Sequence, residues 1–343
     1  MKDHMMPFDT IRQLLATELT AVEQRLTHPQ QSNIPMVNQL ILHLTANGGK
    51  RLRPILLILI AKSLGYTGDQ HIELGTAMEF IHTATLLHDD VVDASHLRRG
   101  QQTANDIWGN ELSVLVGDFL YSQALSSLTQ TNNMLILSTV STTVAQIAEG
   151  EVLQLMNRRN LALSFDDYFN IIQRKTGLLF EMTAHLGAIL GSRDPLLQTA
   201  ARNYGMALGI AFQLVDDVLD YSGDASTIGK NIGDDLHDGN LTLPLLHVLQ
   251  NGNPDEIQWI RTAILRKPKE NAKCSGGEID EMIDTKMIDN IIASFHRTGA
   301  IKYTLQLAEN YVASALEAIT NFPQTIYTEA LTDLAKFAIA RDH

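Results

Sequence analysis

The sequence predicts an all-α protein built as one domain. Apolar residues return every three to four positions along most of the 343-residue chain, which is the period of an amphipathic helix. No stretch shows a convincing alternation of apolar and polar residues, as a half-buried strand would. The composition is 45% hydrophobic, enough for a large core, and no linker divides the chain. We therefore expect a single domain over residues 1–343.

The helix boundaries follow from this period and from the polar or glycine-rich breaks between apolar segments. Helices are expected at 8–26, in a second segment ending near residue 50, and at 53–64, 72–93, 110–129, 133–158, 166–190, 195–222, 242–251, 255–266, 285–297, 299–320 and 326–340. The segment 266–281 is polar and rich in lysine and glycine, so a mobile loop is expected there.

Composition also limits the function and the compartment. The formal net charge of -13 argues against a nucleic-acid partner, which usually meets a basic surface. No run of ~18 uncharged apolar residues is present, so no transmembrane segment is expected. The start, MKDHMMPFDT, lacks the apolar core of a signal peptide. Cys274 is the single cysteine, which excludes an internal disulfide and fits a reducing compartment. We expect a cytoplasmic protein.

An acidic motif with the pattern D-D-apolar-apolar-D ends two of the long predicted helices. It reads DDVVD in the first copy and DDVLD in the second, and its carboxylates are Asp89, Asp90, Asp93, Asp216, Asp217 and Asp220. Residues four apart share one face of a helix and lie roughly 6 Å apart, so each copy presents a pair of carboxylates. Mg²⁺ prefers oxygen ligands and is usually completed by substrate phosphates. Two facing copies could therefore hold Mg²⁺ ions that clamp a diphosphate.

The alternative interpretation is that each motif is a solvated helix end. The helix dipole disfavours aspartate at a helix C-terminus, and two copies behind two long apolar helices make this interpretation the weaker one. The faces beneath the motifs carry Met78, His82 and Thr85 below Asp89, and Gly205, Gly209 and Phe212 below Asp216. These apolar or small residues suit either a channel for a hydrocarbon chain or ordinary packing between helices. Both interpretations remain open.

Basic residues accompany these acids in three places. They are Lys50, Arg51 and Arg53 in GGKRLRP, the pair Arg98 and Arg99 after the first motif, and Lys175 and Lys230 near the second. Arginine binds phosphate oxygens bidentately and lysine supplies a point charge. Each residue alone is more often a surface ion-pair partner, but together they favour an anionic ligand. His82 shares the Asp89 face and can reach a diphosphate, whereas His88 is interpreted as a structural residue.

Several blocks of the sequence together resemble the trans-isoprenyl diphosphate synthases, in particular the long-chain octaprenyl type. The blocks are GGKRLRP, EFIHTATLLHDDVVD…LRRG, SVLVGDFLYSQA, AEGEVLQL, KTGLLFE, FQLVDDVLDY, GKNIGDDLHDG and TLPLLH. The resemblance implies the isoprenoid synthase fold, with helices around a deep central cavity, and a homodimer. It also implies a prenyltransferase that condenses isopentenyl diphosphate head to tail onto an allylic diphosphate such as farnesyl diphosphate. Mg²⁺ is the implied cofactor, with about three ions around the bound diphosphate.

The resemblance also implies roles for individual residues. Both acidic motifs would bind the allylic diphosphate through Mg²⁺, and the residues contacting that diphosphate directly would be Arg98, Lys175 and Lys230. Those holding isopentenyl diphosphate would be Lys50, Arg53, His82 and Arg99. Thr176 and Gln213 would lie beside the reacting carbons. The residues implied to take part in catalysis are Asp89, Asp90, Asp93, Lys175, Thr176, Gln213 and Asp216.

Two short segments bear on how this chain differs from the family that it resembles. After the second motif the family often reads D-D-L-x-E-G-K, whereas this sequence reads DDLHDGN, with Asp238 and Asn240. One phosphate-binding lysine is therefore missing. Bulky residues just before the first motif close the cavity in short-chain members, and this sequence has Ala84 and Thr85 there. Small residues at these positions imply a long product, of octaprenyl length. The resemblance alone implies that this product becomes a quinone side chain.

Three other functions fit parts of the pattern. A terpene cyclase shares the fold and the first motif, but it needs neither the second motif nor the GGKRLRP block. A non-catalytic subunit of a heteromeric synthase would not need intact motifs, although Asn240 is a mark in its favour. A carboxylate-bridged di-iron bundle needs two Glu-x-x-His motifs, and only one is present, from Glu79 to His82.

Overall fold

The fold is helical throughout most of the chain that can be described. The computed structural model describes residues 6–27, 32–46, 49–98, 100–221, 233–266 and 285–340. The helices there are α1 (Phe8–Leu14), α2 (Ala16–Thr27), α3 (Pro35–Ala46), α4 (Leu52–Ser63), α5 (Gln70–Val92), α6 (Ala104–Trp108), α7 (Asn110–Gln130), α8 (Met134–Asn157), α9 (Phe165–Ile172), a π turn (Gln173–Gly177), α10 (Leu178–Gly191), α11 (Pro195–Leu219), α12 (Asp234–Asp238), α13 (Leu243–Asn251), α14 (Pro254–Leu265), α15 (Thr285–Thr298), α16 (Ala300–Ala318) and α17 (Ile326–Ile339). Two short strands, β1 (Leu97–Arg98) and β2 (Gln101–Gln102), form an antiparallel ribbon after α5. The prediction of an all-α protein is confirmed. Across the described ranges no helix is long and apolar enough to cross a membrane.

Most predicted helices match the observed ones to within a few residues, and the differences have local causes. The predicted helix 8–26 is interrupted at Leu15, whose φ of -110° and ψ of 20° separate α1 from α2. The predicted helix 166–190 contains the π turn. The short helices α6 and α12 and the β-ribbon were not predicted, because one turn of helix or two residues of strand carry no usable period. The predicted loop at 266–281 lies, beyond Arg266, outside the described residues.

Helix α4 runs through the middle of the core. Every residue from Ile55 to Ala61 is fully buried, as expected of a helix that is apolar on all sides. It packs against α5, α10 and α17. The two acidic motifs lie at the C-terminal ends of α5 and α11, and α10 packs against both of these helices. Helix α10 therefore links the two elements that carry the motifs.

The small residues below the second motif serve packing between helices. A Cβ atom on Gly205 would lie 2.5 Å from the Phe180 carbonyl oxygen, and one on Gly209 would lie 2.9 Å from Gly177 Cα. These neighbours are backbone atoms of α10 and the π turn, so α11 approaches that segment too closely for a side chain. Of the two interpretations left open for this face, helix packing therefore holds at both glycines.

Replacing Gly205 with alanine is expected to destabilise the protein, although alanine is the better helix former by about 0.5–1 kcal/mol. The new methyl group would have to displace backbone atoms of α10, so we expect the free energy of unfolding to fall by about 1–3 kcal/mol. Urea denaturation followed by circular dichroism measures this change. Asn203→Ala, on the exposed side of the same helix, is the control and should leave the midpoint unchanged or slightly raised. An equally stable Gly205→Ala variant would show that this helix crossing is not close-packed.

Candidate active site

One turn of π-helix places two of the predicted site residues next to each other. The turn holds Lys175 and Thr176 between α9 and α10. Such turns insert one residue into a helix and are frequent at functional sites. Helix α8 packs directly on the turn at Gly150, where an added Cβ would lie 2.6 Å from Arg174 Cβ. The glycine therefore lets α8 bring Glu151 close to the turn.

Lys175 joins the first acidic motif to Glu151. Its Nζ atom lies 2.9 Å from Glu151 Oε2 and 3.9 Å from Asp89 Oδ2. Burial raises the pKa of Asp89 to about 7, although Lys175 opposes the shift. The carboxylates of Glu151 and Asp93 raise the Asp89 pKa further. Burial alone would lower the pKa of Lys175, but Asp89 and Glu151 raise it, so the ammonium stays charged. The site gathers more negative charge than its lysine neutralises.

The other two aspartates of the first motif are held by arginines. Arg98, in β1, donates two hydrogen bonds to Asp90 Oδ1 at 2.9 and 2.8 Å, and Asp90 is only 3% exposed. The β-ribbon thus returns Arg98 onto the end of α5. Asp93 forms an ion pair with Arg158, which directly follows α8. Arg98 therefore lies at the motif, whereas Arg158 is a residue that the sequence did not single out.

The second motif is anchored from inside by its middle aspartate. Asp217 Oδ1 accepts a hydrogen bond from Gln213 Nε2 at 2.9 Å, and its Oδ2 accepts one from the Tyr168 hydroxyl at 2.5 Å. The Thr176 hydroxyl donates to Gln213 Oε1 at 2.8 Å. Burial raises the pKa of Asp217 to about 7, and Asp235 adds to the shift. Thr176, Gln213 and Asp217 therefore form one hydrogen-bonded chain from the π turn to the motif.

In both motifs the first and last aspartates are half-buried and the middle one is buried. The outer pairs are Asp89 with Asp93 and Asp216 with Asp220, one helical turn apart in each case. Within the described ranges, no three His, Cys, Asp or Glu side chains converge closely enough to hold a metal ion by themselves. An ion bound by an outer pair would therefore need further oxygen ligands, such as those of a diphosphate. Metal binding by the six aspartates stays a prediction.

Helix α12, in the described segment that begins at residue 233, lies near both acidic motifs. The backbone N–H of Asp235 donates to Asp220 Oδ2 at 3.3 Å, which holds α12 against the end of α11. Burial raises the pKa of Asp238 to about 7, with Asp93 and Asp235 as the next causes. Asp238 therefore lies within electrostatic reach of Asp93, so α12 forms one side of the acidic site.

Arg51 is a structural residue at the start of α4. Its guanidinium pairs with Glu23 of α2 at 2.6 Å and with Glu79 of α5 at 3.1 Å. Burial alone would lower the Arg51 pKa, but these two carboxylates raise it. Arg51 therefore ties three helices together.

Lys50 and Arg53 border an apolar cleft that reaches the face of the second motif. The Arg53 guanidinium lies 5.0 Å from the centre of the Phe180 ring, and Lys50 Nζ lies 5.1 Å from an aromatic ring of α17. Both rings line the cleft, and so does Phe212, one helical turn before Asp216. Two of the residues predicted for isopentenyl diphosphate are therefore brought to the apolar surface below the second motif.

The remaining predicted residues divide into two groups. His82 is half-buried on α5, two helical turns below Asp89. Arg99 and Lys230 lie outside the described residues. The interpretation of His88 as a structural residue agrees with its position, because its Nε2 atom lies 3.2 Å from a backbone carbonyl oxygen of α7.

Three residues of the site were missed by the sequence reasoning. Glu151 lies inside the AEGEVLQL block. Two features of the sequence could have indicated it, namely the glycine before it and the occurrence of a charged residue in an apolar stretch. Arg158 directly follows α8, and Tyr168 lies on α9. They reach Asp93 and Asp217 only because the chain turns between these two helices. No spacing in the sequence could have paired them with their aspartates.

Comparison with known proteins agrees with this architecture. A family model described as polyprenyl synthetase matches residues 34–276. The octaprenyl diphosphate synthase of Escherichia coli (strain K12) is 40% identical over 337 residues, which cover 98% of this chain and 100% of that protein. An all-trans-nonaprenyl-diphosphate synthase (geranyl-diphosphate specific) of Rhodobacter capsulatus is 39% identical over 328 residues, covering 95% of this chain and 96% of that one. A crystal structure of a polyprenyl synthase from Caulobacter crescentus CB15, complexed with calcium and isoprenyl diphosphate, has a TM-score of 0.89 at 42% identity and covers 98% of both chains.

The all-α fold and the paired acidic motifs define a prenyltransferase. The chain belongs to the polyprenyl synthetase family, since the family model spans most of its length and relatives match it almost from end to end.

The stability of the ligand-free protein is expected to fall as the pH rises through about 7. Asp89, Asp217 and Asp238 have pKa values raised from 3.8 to about 7, so the folded protein binds these protons more tightly than the unfolded chain does. Their contribution to stability is therefore complete below about pH 4 and is lost as the carboxyls ionise. Thermal unfolding in EDTA from about pH 5 to about pH 8 measures this loss.

Asp238→Asn should reduce this pH-dependent loss by about 1 kcal/mol, after allowance for solvent screening. Asp289→Asn, on the exposed face of α15, is the matched control and should keep the slope of the wild type. A wild-type slope in the Asp238→Asn variant would show that Asp238 does not titrate in this range.

Proposed function

We propose that this protein is a long-chain trans-polyprenyl diphosphate synthase with an octaprenyl product. It would condense isopentenyl diphosphate head to tail onto an allylic diphosphate such as farnesyl diphosphate. The observation that carries the proposal is that neighbouring residues of the π turn reach the two motifs separately. Lys175 contacts Asp89, and Thr176 reaches the second motif through Gln213. An allylic diphosphate between the motifs would meet both residues. The names of the relatives support a chain-elongating reaction.

Mg²⁺ is the proposed metal of this site. The donor set is made of carboxylates, the ligands that Mg²⁺ prefers, and burial makes negative charge on Asp89 unfavourable unless a cation is bound nearby. Calcium in the Caulobacter crescentus structure supports a divalent cation. The residues proposed to hold the ions directly are Asp89, Asp93, Asp216 and Asp220, and those proposed to orient them from behind are Asp90 and Asp217. When bound, the ions supply positive charge that stabilises the leaving diphosphate.

The residues around the π turn would act on the leaving group and on the reacting carbons. Lys175 would stabilise the charge that develops on the diphosphate as the allylic carbon–oxygen bond breaks. Thr176 and Gln213 place a hydroxyl and an amide dipole beside the positions of the reacting carbons. The apolar cleft next to Phe212 would limit access of water to the allylic carbocation, which the double bond of isopentenyl diphosphate then attacks. The proton lost after bond formation would pass to the departing diphosphate, so no protein base is needed.

The organisation of the chain and its place of action are part of the proposal. The buried apolar side chains form two clusters, one around α4 and α5 and one around α13 and α14. One domain is proposed because Tyr311 packs against both clusters. A homodimer is proposed because two adjacent helices, α7 and α8, expose the large apolar side chains Leu115, Leu125, Val152 and Met156. The resemblance and the single cysteine support a cytoplasmic enzyme, and the octaprenyl product would serve as a quinone side chain.

Incubation with farnesyl diphosphate, radiolabelled isopentenyl diphosphate and Mg²⁺ is expected to give a chain-elongated product. Asp216→Asn should lower the turnover number by about 100-fold or more, because it removes a charged ligand from the leaving-group side of the site. Asp289→Asn, on the exposed face of α15, should keep the wild-type rate. A wild-type protein that yields no elongated product would contradict the proposed function.

Product length is expected to depend on Ala84. The relatives matched at almost equal identity carry names with different product lengths, so overall similarity does not set this property. Ala84 is fully buried on α5, just before the first motif. A tyrosine at this position should shorten the product because it fills the space into which the growing chain extends. Reversed-phase chromatography of the dephosphorylated products measures the length.

Ala84→Leu is the intermediate variant in this series and should give a smaller shortening. Thermal unfolding of both variants controls for overpacking of the core. An unchanged product length in the folded Ala84→Tyr variant would show that α5 does not limit the chain at this point.

A further inference from the structure

Arg158 occupies a position between the two halves of the acidic site. It follows the last residue of α8, and its guanidinium pairs with Asp93 of the first motif. It also opposes the raised pKa of Asp238, which places its positive charge close to α12 as well. Its side chain is only 17% exposed. Arg158 is therefore a largely buried cation shared by the first motif and the segment that follows the second.

Backbone contacts fix this position next to Asn240. The N–H of Arg159 donates to the carbonyl oxygen of Gly239 at 2.8 Å. A Cβ atom on Gly239, which has a φ of 81°, would lie 2.7 Å from Arg159 Cγ. The chain after α8 is therefore pressed directly against the residue that precedes Asn240. Arg158 is held there by packing and does not depend on its ion pair alone.

Two polar atoms in this region are buried without a hydrogen-bond partner in the described part of the chain. They are the Nε donor of Arg158 and the Oδ1 acceptor of Asn240. Leaving such a group unpaired is unfavourable by about 1–3 kcal/mol, and more for a charged group. An unpaired guanidinium N–H in an otherwise acidic site is suited to an anionic ligand, because a guanidinium can donate to a phosphate through two nitrogens at once.

We propose that Arg158 is a diphosphate-binding residue of this chain, and that it supplies the cation that the resemblance to the synthase family implies for position 240, where this sequence has no lysine. The sequence has Asn240 at that position, and the structure brings the Arg158 guanidinium to the same side of the site. The ligand is the diphosphate of the allylic substrate, so this inference rests on the proposed function. The competing role is purely structural, in which Arg158 only holds Asp93 in place.

The test is direct binding of a slowly reacting allylic ligand to the full chain. Isothermal titration calorimetry with the thiolo analogue of farnesyl diphosphate and Mg²⁺ is expected to show about tenfold weaker binding by Arg158→Gln, the loss of one charge-assisted contact. The KM for isopentenyl diphosphate should stay within about twofold of the wild type. Arg202→Gln removes an exposed arginine that pairs with Glu181, and it is the matched control with unchanged affinity.

Rescue by a lysine at position 240 separates the two roles. Asn240→Lys combined with Arg158→Gln should restore the affinity for the analogue to within about threefold of the wild type, while Asn240→Lys alone should change it by less than about threefold. Unchanged affinity in Arg158→Gln, or a loss that Asn240→Lys does not restore, would overturn the proposal. If Arg158→Gln fails to fold, Arg158→Lys takes its place. Its affinity for the analogue should again be lower than that of the wild type and should be restored when Asn240→Lys is added. A wild-type chain that binds the analogue but yields no elongated product would contradict the proposed function. The role of Arg158 in diphosphate binding could still be measured in that case.

Discussion

The site depends on the register of a single π turn. Lys175 Nζ lies 3.9 Å from Asp89 of the first motif, and the Thr176 hydroxyl lies 2.8 Å from Gln213, which donates to the second motif. Adjacent residues of a helix lie about 100° apart around its axis, so Lys175 and Thr176 face different helices, and the extra residue of the turn sets the register at which they do so. Without it, α10 would be rotated by about 100° relative to α9, and one of the two contacts would be lost. Glycines make this arrangement possible, because Gly150 lets α8 lie directly on the turn and Gly209 lets α11 do so from the other side.

Electrostatic strain accompanies this geometry. The carboxyls of Asp89, Asp217 and Asp238 all have pKa values raised to about 7, mainly because they are removed from water. Negative charge is therefore unfavourable at these three carboxyls, although the half-buried cations Lys175 and Arg158 lie near Asp89 and Asp238 and oppose the shift there. Such local conflict is expected at functional sites, where the ligand supplies the compensating interaction. An acidic chain can in this way bind an acidic substrate, provided that cations come with it.

The middle and outer aspartates of each motif have different surroundings, although all three positions hold the same residue type. Asp90 and Asp217 point into the protein and are occupied by Arg98, Gln213 and a tyrosine hydroxyl. The outer aspartates are half-buried. This difference follows from the helix period, because adjacent residues are separated by about 100° around the axis. The buried member of each motif fixes the helix end, which in turn fixes the direction of the outer pair.

The sequence by itself determined the all-α class, most helix positions and the two acidic motifs, because each of these is written in short-range periodicity and spacing. Its resemblance to known synthases also indicated the reaction class. The partners of the motifs were decided by the tertiary structure. Glu151, Arg158 and Tyr168 reach the aspartates through helix crossings and chain turns, which local spacing does not encode. The same holds for Gly205 and Gly209, where the sequence allowed a channel or a helix contact and only the position of α10 decided between them. Hydrophobic period is a property of one segment, whereas a close approach between segments depends on where all the others pack.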